Sequence, residues 1–444
     1  MDLLIEGGTI VPCTPGGESF PGDVLVEDGA LRALGPGARE ARRGPVRVLD
    51  ARGCAVLPGL VHAHVHLCQT LFRGMADDLP LLDWLRTRIW PLEAAHDPES
   101  LRASADLGLV ELLKGGGTTL LDMGTVHHHD AVFEALRDCG VRAFSGKAMM
   151  DVGAGVPRGL REGLRASLAT SDTLRARWDE AEGGRLRYAF APRFILSCTK
   201  KLLQETVSLA RAHGCLLHTH AAEHPGERDA VRALHGKDDV DALAELGLQG
   251  PDTILAHGVQ LTLAQMRAAA KAGTRVVHCP SANLKLGSGV ARVSALRKAG
   301  VVVGLGADGA ACNNNLDLFV ELRHAALLAK GGGNTRALPA REALSLATLD
   351  GARALGIDHL VGSLEPGKRA DVVVVDLTGA HTEPWGGPVE RVVYAAQARD
   401  VKHVVVNGRV LVKDRALTTM DEERVVARAR EEAVKVQARA GLRG

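Results

Sequence analysis

The stretch PGLVHAHVHLCQTLFRG, residues 58–74, places His62, His64 and His66 at every second position after an apolar run. Alternate residues of a β-strand point to the same face of a sheet, so the three imidazoles are predicted to share one side. His64 and His66, at the end of the predicted strand, have the spacing that lets two imidazoles hold one metal ion jointly. The stretch therefore predicts a strand that ends at a metal site.

Length and composition limit the class of protein. The chain has 444 residues, of which 46% are hydrophobic and 24% are charged, and its formal net charge is +1. This balance is typical of a globular protein, with material for two or three ordinary domains or for one large barrel with an appendage. The small net charge gives no overall field that favours nucleic acid or a membrane surface.

Other features of the sequence indicate a cytoplasmic protein. The N-terminus carries Asp2 and Glu6 and no basic region, which is unlike a signal peptide. No apolar run approaches the roughly 20 residues that a membrane-spanning helix needs. The 8 cysteines are scattered without a CxxC pair, which favours a reducing compartment. We expect the partners to be a small-molecule substrate and water, with no nucleic acid and no membrane.

The middle of the chain alternates predicted strands with predicted helices. After the opening strand, strand patterns occur at residues 117–123, 141–151, 186–197, 215–220, 253–258, 274–280 and 301–309. With the opening strand they make the pattern of a (β/α)₈ barrel, whose active site lies at the C-terminal ends of the strands. A doubly wound open sheet is the alternative, but no GxGxxG turn follows an early strand.

Both ends of the chain contain short strand patterns separated by glycine turns. They occur within residues 1–55 and return at residues 401–414, as a hairpin on an Asn-Gly turn. We therefore predict an α/β fold with a (β/α)₈ barrel over residues 56–365. A small β-sandwich would combine residues 1–55 with residues 366–444, which also include a terminal helix.

Polar residues end several of the predicted barrel strands. They are His64 and His66 on strand one, His218 and His220 followed by Glu223 on strand five, His257 on strand six, His278 on strand seven and Asp308 on strand eight. A lone histidine on a strand is more often a packed core residue, but several such residues aimed at one barrel mouth indicate a metal site. Three imidazoles and one carboxylate suit Zn²⁺, which lowers the pKa of its bound water to about 7. A carboxylate beside the metal that does not ligate it, such as Glu223, can transfer protons.

These motifs resemble the amidohydrolase superfamily, in its branch of cytosine-, guanine- and adenosine-type deaminases. The resemblance covers essentially the whole chain, through PGLVHAHVHL, HTHAAE, AHG, HCPSANLKLGSG, LGADGAACNN and GSLEPGKRADVVVVD. It implies a barrel with a small β-sandwich, and usually a homo-oligomer. It also implies hydrolytic deamination of a ring carbon that bears an exocyclic amine, with release of ammonia.

The resemblance also assigns residues to roles. One Zn²⁺ per subunit, with Fe²⁺ as the alternative, would be held by the four ligands His64, His66, His220 and Asp308. Glu223 would be the proton shuttle, while His257 and Asp308 would steer the attacking water and the tetrahedral intermediate. Because strand four ends without a lysine, one metal ion is predicted rather than a pair bridged by a modified lysine.

The motifs for the substrate are mixed. Gln69 and Arg193 resemble guanine deaminases, where such groups bind an oxo-purine edge, and Lys147 favours the same group. The stretch LFRGMADDLPLLDWLRTRIWPLE resembles the S-adenosylhomocysteine/methylthioadenosine deaminases, in which Trp84 would pack on the base and Glu93 would hold the ribose hydroxyls. Arg193 and Lys147 depart from that second group, which has a histidine and an arginine at these places. The substrate is therefore a purine-like heterocycle, either a guanine-type base or an adenosine derivative.

Other functions are open alternatives, and several histidines and Lys147 are not assigned to the site. A triazine or pterin aminohydrolase, or a chlorohydrolase, of the same branch would use the same site, and a non-catalytic scaffold is a further alternative. The triplet at residues 127–129 is predicted not to bind the metal, and His62 and His218 are predicted to be packed interior residues. His278 and Lys147 have no assigned role.

Overall fold

The protein is described by a computed structural model that covers residues 2–384 and 386–442. Contacts between residues divide the chain into two compact units. One unit comprises Met1–Ala63, Val110–Thr119 and Asp317–Asp421, and the other comprises His64–Leu109, Leu120–Leu316 and Glu422–Gly444. The predicted domain boundaries follow the sheets rather than these contacts, and they stay a prediction.

The first unit contains a sheet built from both ends of the chain. In sheet order its strands are Ala416–Leu417, Arg409–Lys413, Val401–Val406, Val372–Asp376, Cys54–Pro58, Leu3–Ile10, Phe20–Glu27 and Ala30–Gly35, with Arg47–Asp50 paired to Leu3–Ile10. One face buries an apolar cluster that includes Ile5, Val24, Val56 and Val372. Burial of such alternating residues is the main favourable term for a sheet with one core-facing side.

The predicted hairpin near the C-terminus forms as expected. Asn407 and Gly408 connect its two strands with φ angles of 50° and 78°. A two-residue turn with both φ angles positive matches the right-handed twist of the strands that it joins. The prediction of strand-rich chain ends that form one small β domain is confirmed.

The second sheet is the barrel. Its strands are Leu60–His66, Gly117–Met123, Arg142–Gly146, Leu186–Pro192, Leu216–Ala221, Thr253–His257, Arg275–His278, Val303–Leu305 and Asp308–Gly309, with the short strand Ala148–Met149 at its edge. Val303–Leu305 and Asp308–Gly309 are the two parts of an interrupted eighth strand. The first part pairs with the seventh strand and the second part pairs with the first strand, both in parallel, so the sheet closes on itself.

Gly306 lies at the interruption of the eighth strand. A Cβ atom built there would be 2.6 Å from the carbonyl oxygen of His64, closer than real side chains approach. Glycine therefore lets the eighth strand pass the first strand at the point where the barrel closes. The (β/α)₈ prediction is confirmed, with every predicted strand present.

Helices follow the strands. The α-helices are Leu81–Trp84, Trp90–Ala94, Pro98–Lys114, Asp130–Cys139, Leu164–Trp178, Ala181–Gly184, Lys200–Ala212, Pro225–His235, Asp239–Glu245, Leu263–Ala272, Pro280–Lys285, Val293–Ala299, Leu318–Lys330, Ala340–Leu346, Leu349–Leu355, Pro388–Tyr394 and Glu422–Arg439. Lys200–Ala212 is capped at its N-terminus, because the Thr199 hydroxyl accepts the Leu202 N–H at 3.2 Å. Nowhere in the described ranges is a helix both long and apolar enough to cross a bilayer.

Candidate active site

Four of the predicted residues converge at the C-terminal ends of barrel strands one, five and eight. The Nε2 atoms of His66 and His220 are 3.1 Å apart. One carboxylate oxygen of Asp308 lies 3.3 Å from His64 Nε2 and 3.4 Å from His66 Nε2. All four side chains are buried, so the structure brings the complete predicted ligand set to one point.

The outer nitrogens of two imidazoles are held by backbone carbonyls. His66 Nδ1 donates to the Met123 oxygen and His220 Nδ1 donates to the Arg193 oxygen, each at 2.7 Å. A carbonyl oxygen only accepts, so both Nδ1 atoms carry the proton and both Nε2 atoms keep their lone pairs. Two lone pairs 3.1 Å apart repel each other unless a cation lies beside them.

The electrostatics of the site also suit a metal ion. Burial lowers the pKa of His66 to about 3 and holds the pKa of His220 well below its ordinary value. Both imidazoles are therefore neutral at pH 7, which is the form that ligates metals. Within the described ranges, the Nε2 atom of His64 is buried without a hydrogen-bond partner. His64, His66 and His220 lie close enough together to hold a metal ion, and so do His64, His257 and Asp308.

Glu223 and His257 face the same point. His257 Nε2 lies 3.4 Å from a Glu223 carboxylate oxygen and 3.8 Å from an Asp308 carboxylate oxygen. Burial, and after it the negative charge of Asp308, raises the pKa of Glu223 well above its ordinary value. Burial thus shifts the pKa of Glu223 in the direction that suits a proton-transfer group.

A tight turn delivers Glu223 to this position. Ala222, which follows the fifth strand, has a φ angle of 52°, an unusual value for a residue with a side chain. The Asp239 carboxylate accepts the Ala222 N–H, and the Glu227 carboxylate accepts the Glu223 N–H at 3.3 Å. These buried carboxylates hold the turn, and no sequence pattern predicted them.

Three of the predicted substrate residues form a closed network. Arg193 donates from Nη1 and Nη2 to the two carboxylate oxygens of Glu93, at 2.6 and 3.1 Å. Gln69 donates from Nε2 to Glu93 at 2.9 Å. The guanidinium is thus neutralised by a two-pronged ion pair in a buried setting. The structure joins Gln69 and Arg193, which the motifs had connected with guanine deaminases, to Glu93, which has a counterpart in both groups of deaminases.

These groups surround a small cavity at the C-terminal ends of the barrel strands. Its polar wall consists of His66, Gln69, Arg193, His220, Glu223, His257 and Asp308. Its apolar wall consists of Leu81, Trp84, Leu85, Phe194 and Leu286. The predicted Trp84 therefore does face the cavity, whereas Glu93 lies behind Gln69 and Arg193.

The helix that carries Trp84 changes its register before it reaches Glu93. Leu85–Ile89 forms a π-helical turn, in which the Trp90 N–H donates to the Leu85 carbonyl five residues back. Pro91 follows at once and has no N–H to continue an ordinary α-helical ladder. Single π turns of this kind are frequent at functional sites, and the sequence pattern did not reveal this one.

The remaining histidines of the barrel strands have interior positions. His218 Nε2 lies 2.8 Å from His64 Nδ1, so it supports a predicted ligand from behind. His62 is buried in the other unit, and burial lowers its pKa to about 3. His278 is buried as well and does not contribute to the cavity wall formed by the described residues.

Lys147 and the histidine triplet also lie away from the cavity wall. Lys147 is buried, with Nζ 2.5 Å from a Glu162 carboxylate oxygen. His129 Nε2 lies 2.9 Å from the Ser145 hydroxyl, which in turn donates to Asp122 at 2.7 Å. Neither position brings its side chain to the ligand cluster.

One cavity neighbour was missed by sequence reasoning. Asn283 is fully buried and its Oδ1 atom lies 2.8 Å from His257 Nδ1. The available signal was the motif HCPSAN directly after strand seven, where a short polar side chain follows the strand end. Nothing in that motif indicates which residue of the neighbouring strand it meets.

Comparison with known proteins agrees with this architecture. Residues 55–411 match the amidohydrolase family. The 5-methylthioadenosine/S-adenosylhomocysteine deaminase of Syntrophobacter fumaroxidans is 39% identical over 432 residues, which are 97% of each chain. The 5'-deoxyadenosine deaminase of Methanothermobacter thermautotrophicus is 38% identical over 429 residues, which are 96% of each chain.

Solved structures give the same result. A zinc-bound adenosine deaminase from Xanthomonas campestris shares 35% identity at a TM-score of 0.92, over 98% of this chain and 99% of that one. Guanine deaminase from E. coli shares 28% identity at a TM-score of 0.83, over 93% of this chain and 99% of that one. The chain belongs to the amidohydrolase family, and it is a hydrolase that acts on carbon–nitrogen bonds.

Proposed function

We propose that this enzyme hydrolyses the 6-amino group of an adenosine derivative and releases ammonia, with one metal ion held by four ligands. The ligands are His64, His66, His220 and Asp308. The observation that carries the reaction is the pair of facing imidazole lone pairs on His66 and His220, 3.1 Å apart, beside the buried Glu223. Zn²⁺ fits this donor set, and a bound zinc ion would make hydroxide available near neutral pH.

The side chains divide the remaining work. Glu223, whose pKa is raised by burial, takes up the two protons of the attacking water in turn and passes one to a ring nitrogen and the other to the departing amine. His257 orients the water that attacks the ring carbon, since its Nε2 atom faces Glu223 and Asp308. Trp84 packs on the face of the base from the apolar wall.

Two lines support an adenosine-type substrate. The relatives with the highest shares of identity quoted above act on adenosine derivatives according to their names. In addition, the Arg193 guanidinium is already paired with the Glu93 carboxylate, so its charge is compensated before a substrate enters. An oxo-purine would therefore meet a neutral pair rather than an unpaired cation.

A guanine-type base is the second candidate. Gln69 and Arg193 both line the cavity, and each keeps hydrogen-bonding groups beyond those that contact Glu93. If they bind an oxo group, R193A lowers kcat/KM for guanine far more than for an adenosine derivative. Comparable losses for both substrates would contradict that role.

The substrate class is tested by ammonia release from a panel measured side by side. The panel contains adenosine, 5'-deoxyadenosine, methylthioadenosine, S-adenosylhomocysteine, guanine, a pterin and a chlorotriazine. We expect kcat/KM for one of the adenosine derivatives to exceed that for guanine by at least about 100-fold, a difference of about 2.7 kcal/mol in transition-state binding. Faster turnover of guanine, the pterin or the triazine would overturn the proposal.

The role of Glu223 is tested by E223Q. We expect kcat to fall by about 10³-fold, because the amide cannot transfer a proton, while the metal content is unchanged. The matched control is E245Q, since Glu245 is an exposed carboxylate in a surface ion pair with Lys237. Wild-type kcat in E223Q would contradict the assigned role.

We further propose that the enzyme is a cytoplasmic homo-oligomer of purine metabolism. No disulfide joins the 8 cysteines, all of which lie in the described ranges, and this supports a reducing compartment. Light scattering coupled to size-exclusion chromatography tests the oligomeric state. A mass of 46.8 kDa, that of a single chain, would contradict it.

A further inference from the structure

His257 ends the sixth barrel strand with its ring fully enclosed. Its φ angle of 78° lies in the left-handed region, which costs a non-glycine residue of order 1–3 kcal/mol and occurs mainly at functional sites. An amide faces Nδ1 of the ring, and the carboxylates of Glu223 and Asp308 face Nε2. Asn283 Oδ1 is 2.8 Å from Nδ1, and the nearest Glu223 oxygen is 3.4 Å from Nε2.

We propose that Asn283 is a positioning residue that fixes the tautomer of His257. An amide oxygen only accepts hydrogen bonds, so contact with Oδ1 places the ring proton on Nδ1. The lone pair of Nε2 is then directed into the cavity, towards the side of Glu223 and Asp308. His257 thereby presents an acceptor to the water that attacks the substrate, rather than a donor.

The backbone around Asn283 holds this amide in place. The Asn283 N–H donates to the Cys279 carbonyl at 3.0 Å, and the Asn283 carbonyl accepts the Ser288 N–H at 2.8 Å. The side chain is 0% exposed, so it has no room to exchange its partner for water. A residue fixed at both backbone groups and enclosed on all sides can select one tautomer of its neighbour.

The opposite tautomer would change the chemistry of the site. With the proton on Nε2, His257 would donate towards the carboxylates of Glu223 and Asp308, and it could not accept from water. The catalytic consequence rests on the proposed function, but the tautomer itself is measurable without any substrate. Failure of the proposed function and failure of this inference are therefore distinguishable.

The tautomer is tested by long-range ¹⁵N–¹H NMR on the zinc-loaded, full-length enzyme labelled with ¹⁵N-histidine. The spectrum of H257Q identifies the His257 signals by subtraction. We expect the proton of His257 on Nδ1 and an unprotonated Nε2. A proton on Nε2 would overturn the inference, whatever substrate the enzyme turns over.

Two variants of Asn283 test the consequence. N283D keeps an acceptor opposite Nδ1, so kcat is expected within about tenfold of wild type. N283L removes the acceptor at similar volume, and kcat is expected to fall by about 100-fold while KM changes less than about threefold. L284A, at a 44% exposed position of the same helix, is the control and keeps wild-type kcat.

Three results would contradict the positioning role of Asn283. Wild-type kcat in N283L, or an equal loss in N283D and N283L, would overturn the positioning role. A loss confined to KM would also overturn it, because the ring would then serve binding alone. If N283L does not fold, N283D and the spectrum of the wild-type enzyme decide.

Discussion

The polar wall of the cavity has two parts, a metal side and a substrate side, and their side chains are arranged in opposite ways. On the metal side, His66 and His220 direct unprotonated nitrogens at each other across 3.1 Å. On the substrate side, Arg193 and Gln69 already satisfy both carboxylate oxygens of Glu93. The metal side presents acceptors that suit a cation, whereas the charges of Arg193 and Glu93 on the substrate side compensate each other.

This difference separates the affinity for a metal ion from the selectivity for a substrate. A cluster of acceptors gains its stability only when a cation binds, so it takes up a metal ion strongly. A closed ion pair instead presents a rigid, neutral surface, and a ligand gains little by competing for groups that are already paired. The site would therefore combine a metal side that a bound cation completes with a substrate side that folding completes.

Metal removal should have the largest effect on activity and stability. We expect a chelator to abolish ammonia release and one equivalent of Zn²⁺ to restore it. Because the metal binds only the folded state, the zinc-loaded protein should be more stable by about 4 kcal/mol at 1,000 times the dissociation constant. Metal analysis and thermal unfolding check both effects. Full activity in a protein shown to hold no metal would contradict the prediction.

The ion pair should show a smaller effect, on stability. R193M leaves the Glu93 carboxylate buried with Gln69 as its remaining donor, so the free energy of unfolding is expected to fall by about 3–5 kcal/mol. The double variant R193M/E93L removes both charges and should cost less than R193M alone. Urea denaturation measures the three proteins.

An exposed pair provides the control for this measurement. Arg211 and Asp252 form the same type of contact at 2.7 Å, but their side chains are 43% and 27% exposed. R211M should therefore cost no more than about 1 kcal/mol. If R193M/E93L is less stable than R193M, the Glu93 carboxylate stabilises the fold even without its Arg193 partner.

Gln69 should give the smallest effect of the series. Q69L removes one hydrogen bond to a charged acceptor, and the expected loss is about 1.5–3 kcal/mol in the free energy of unfolding. The loss must be smaller than that of R193M, because the ion pair survives. Equal losses in urea denaturation would show that Gln69 stabilises the buried Glu93 carboxylate as much as Arg193 does.

Local pattern was sufficient for much of the fold. Period-two alternation and turn residues predict the strands, since each depends on neighbours a few positions away. The strand-end positions of His64, His66, His220 and Asp308 were likewise readable from local pattern, whereas their role as ligands came from the resemblance and stays a prediction. The interruption at Gly306 was not predictable, because it results from the approach of a strand that lies far away in sequence.

The pairings inside the site required the closed barrel. Glu93 and Arg193 are 100 residues apart, and neither residue type specifies the other as its partner. Likewise, His257 meets Asn283 only because strands six and seven are neighbours and the following helix turns its amide inward. Contacts between distant segments depend on the whole topology rather than on any local period.

The sequence by itself determined the barrel and indicated a metal site at its mouth, because periodicity and strand-end chemistry are local properties of the chain. The reaction class came from the resemblance of its motifs to the amidohydrolase superfamily. The tertiary structure alone decided three things: that Arg193 is paired with Glu93, that burial raises the pKa of Glu223, and that His257 has an amide at its outer nitrogen. Charge compensation, desolvation and tautomer are properties of surroundings. They exist only once the barrel has closed around these side chains.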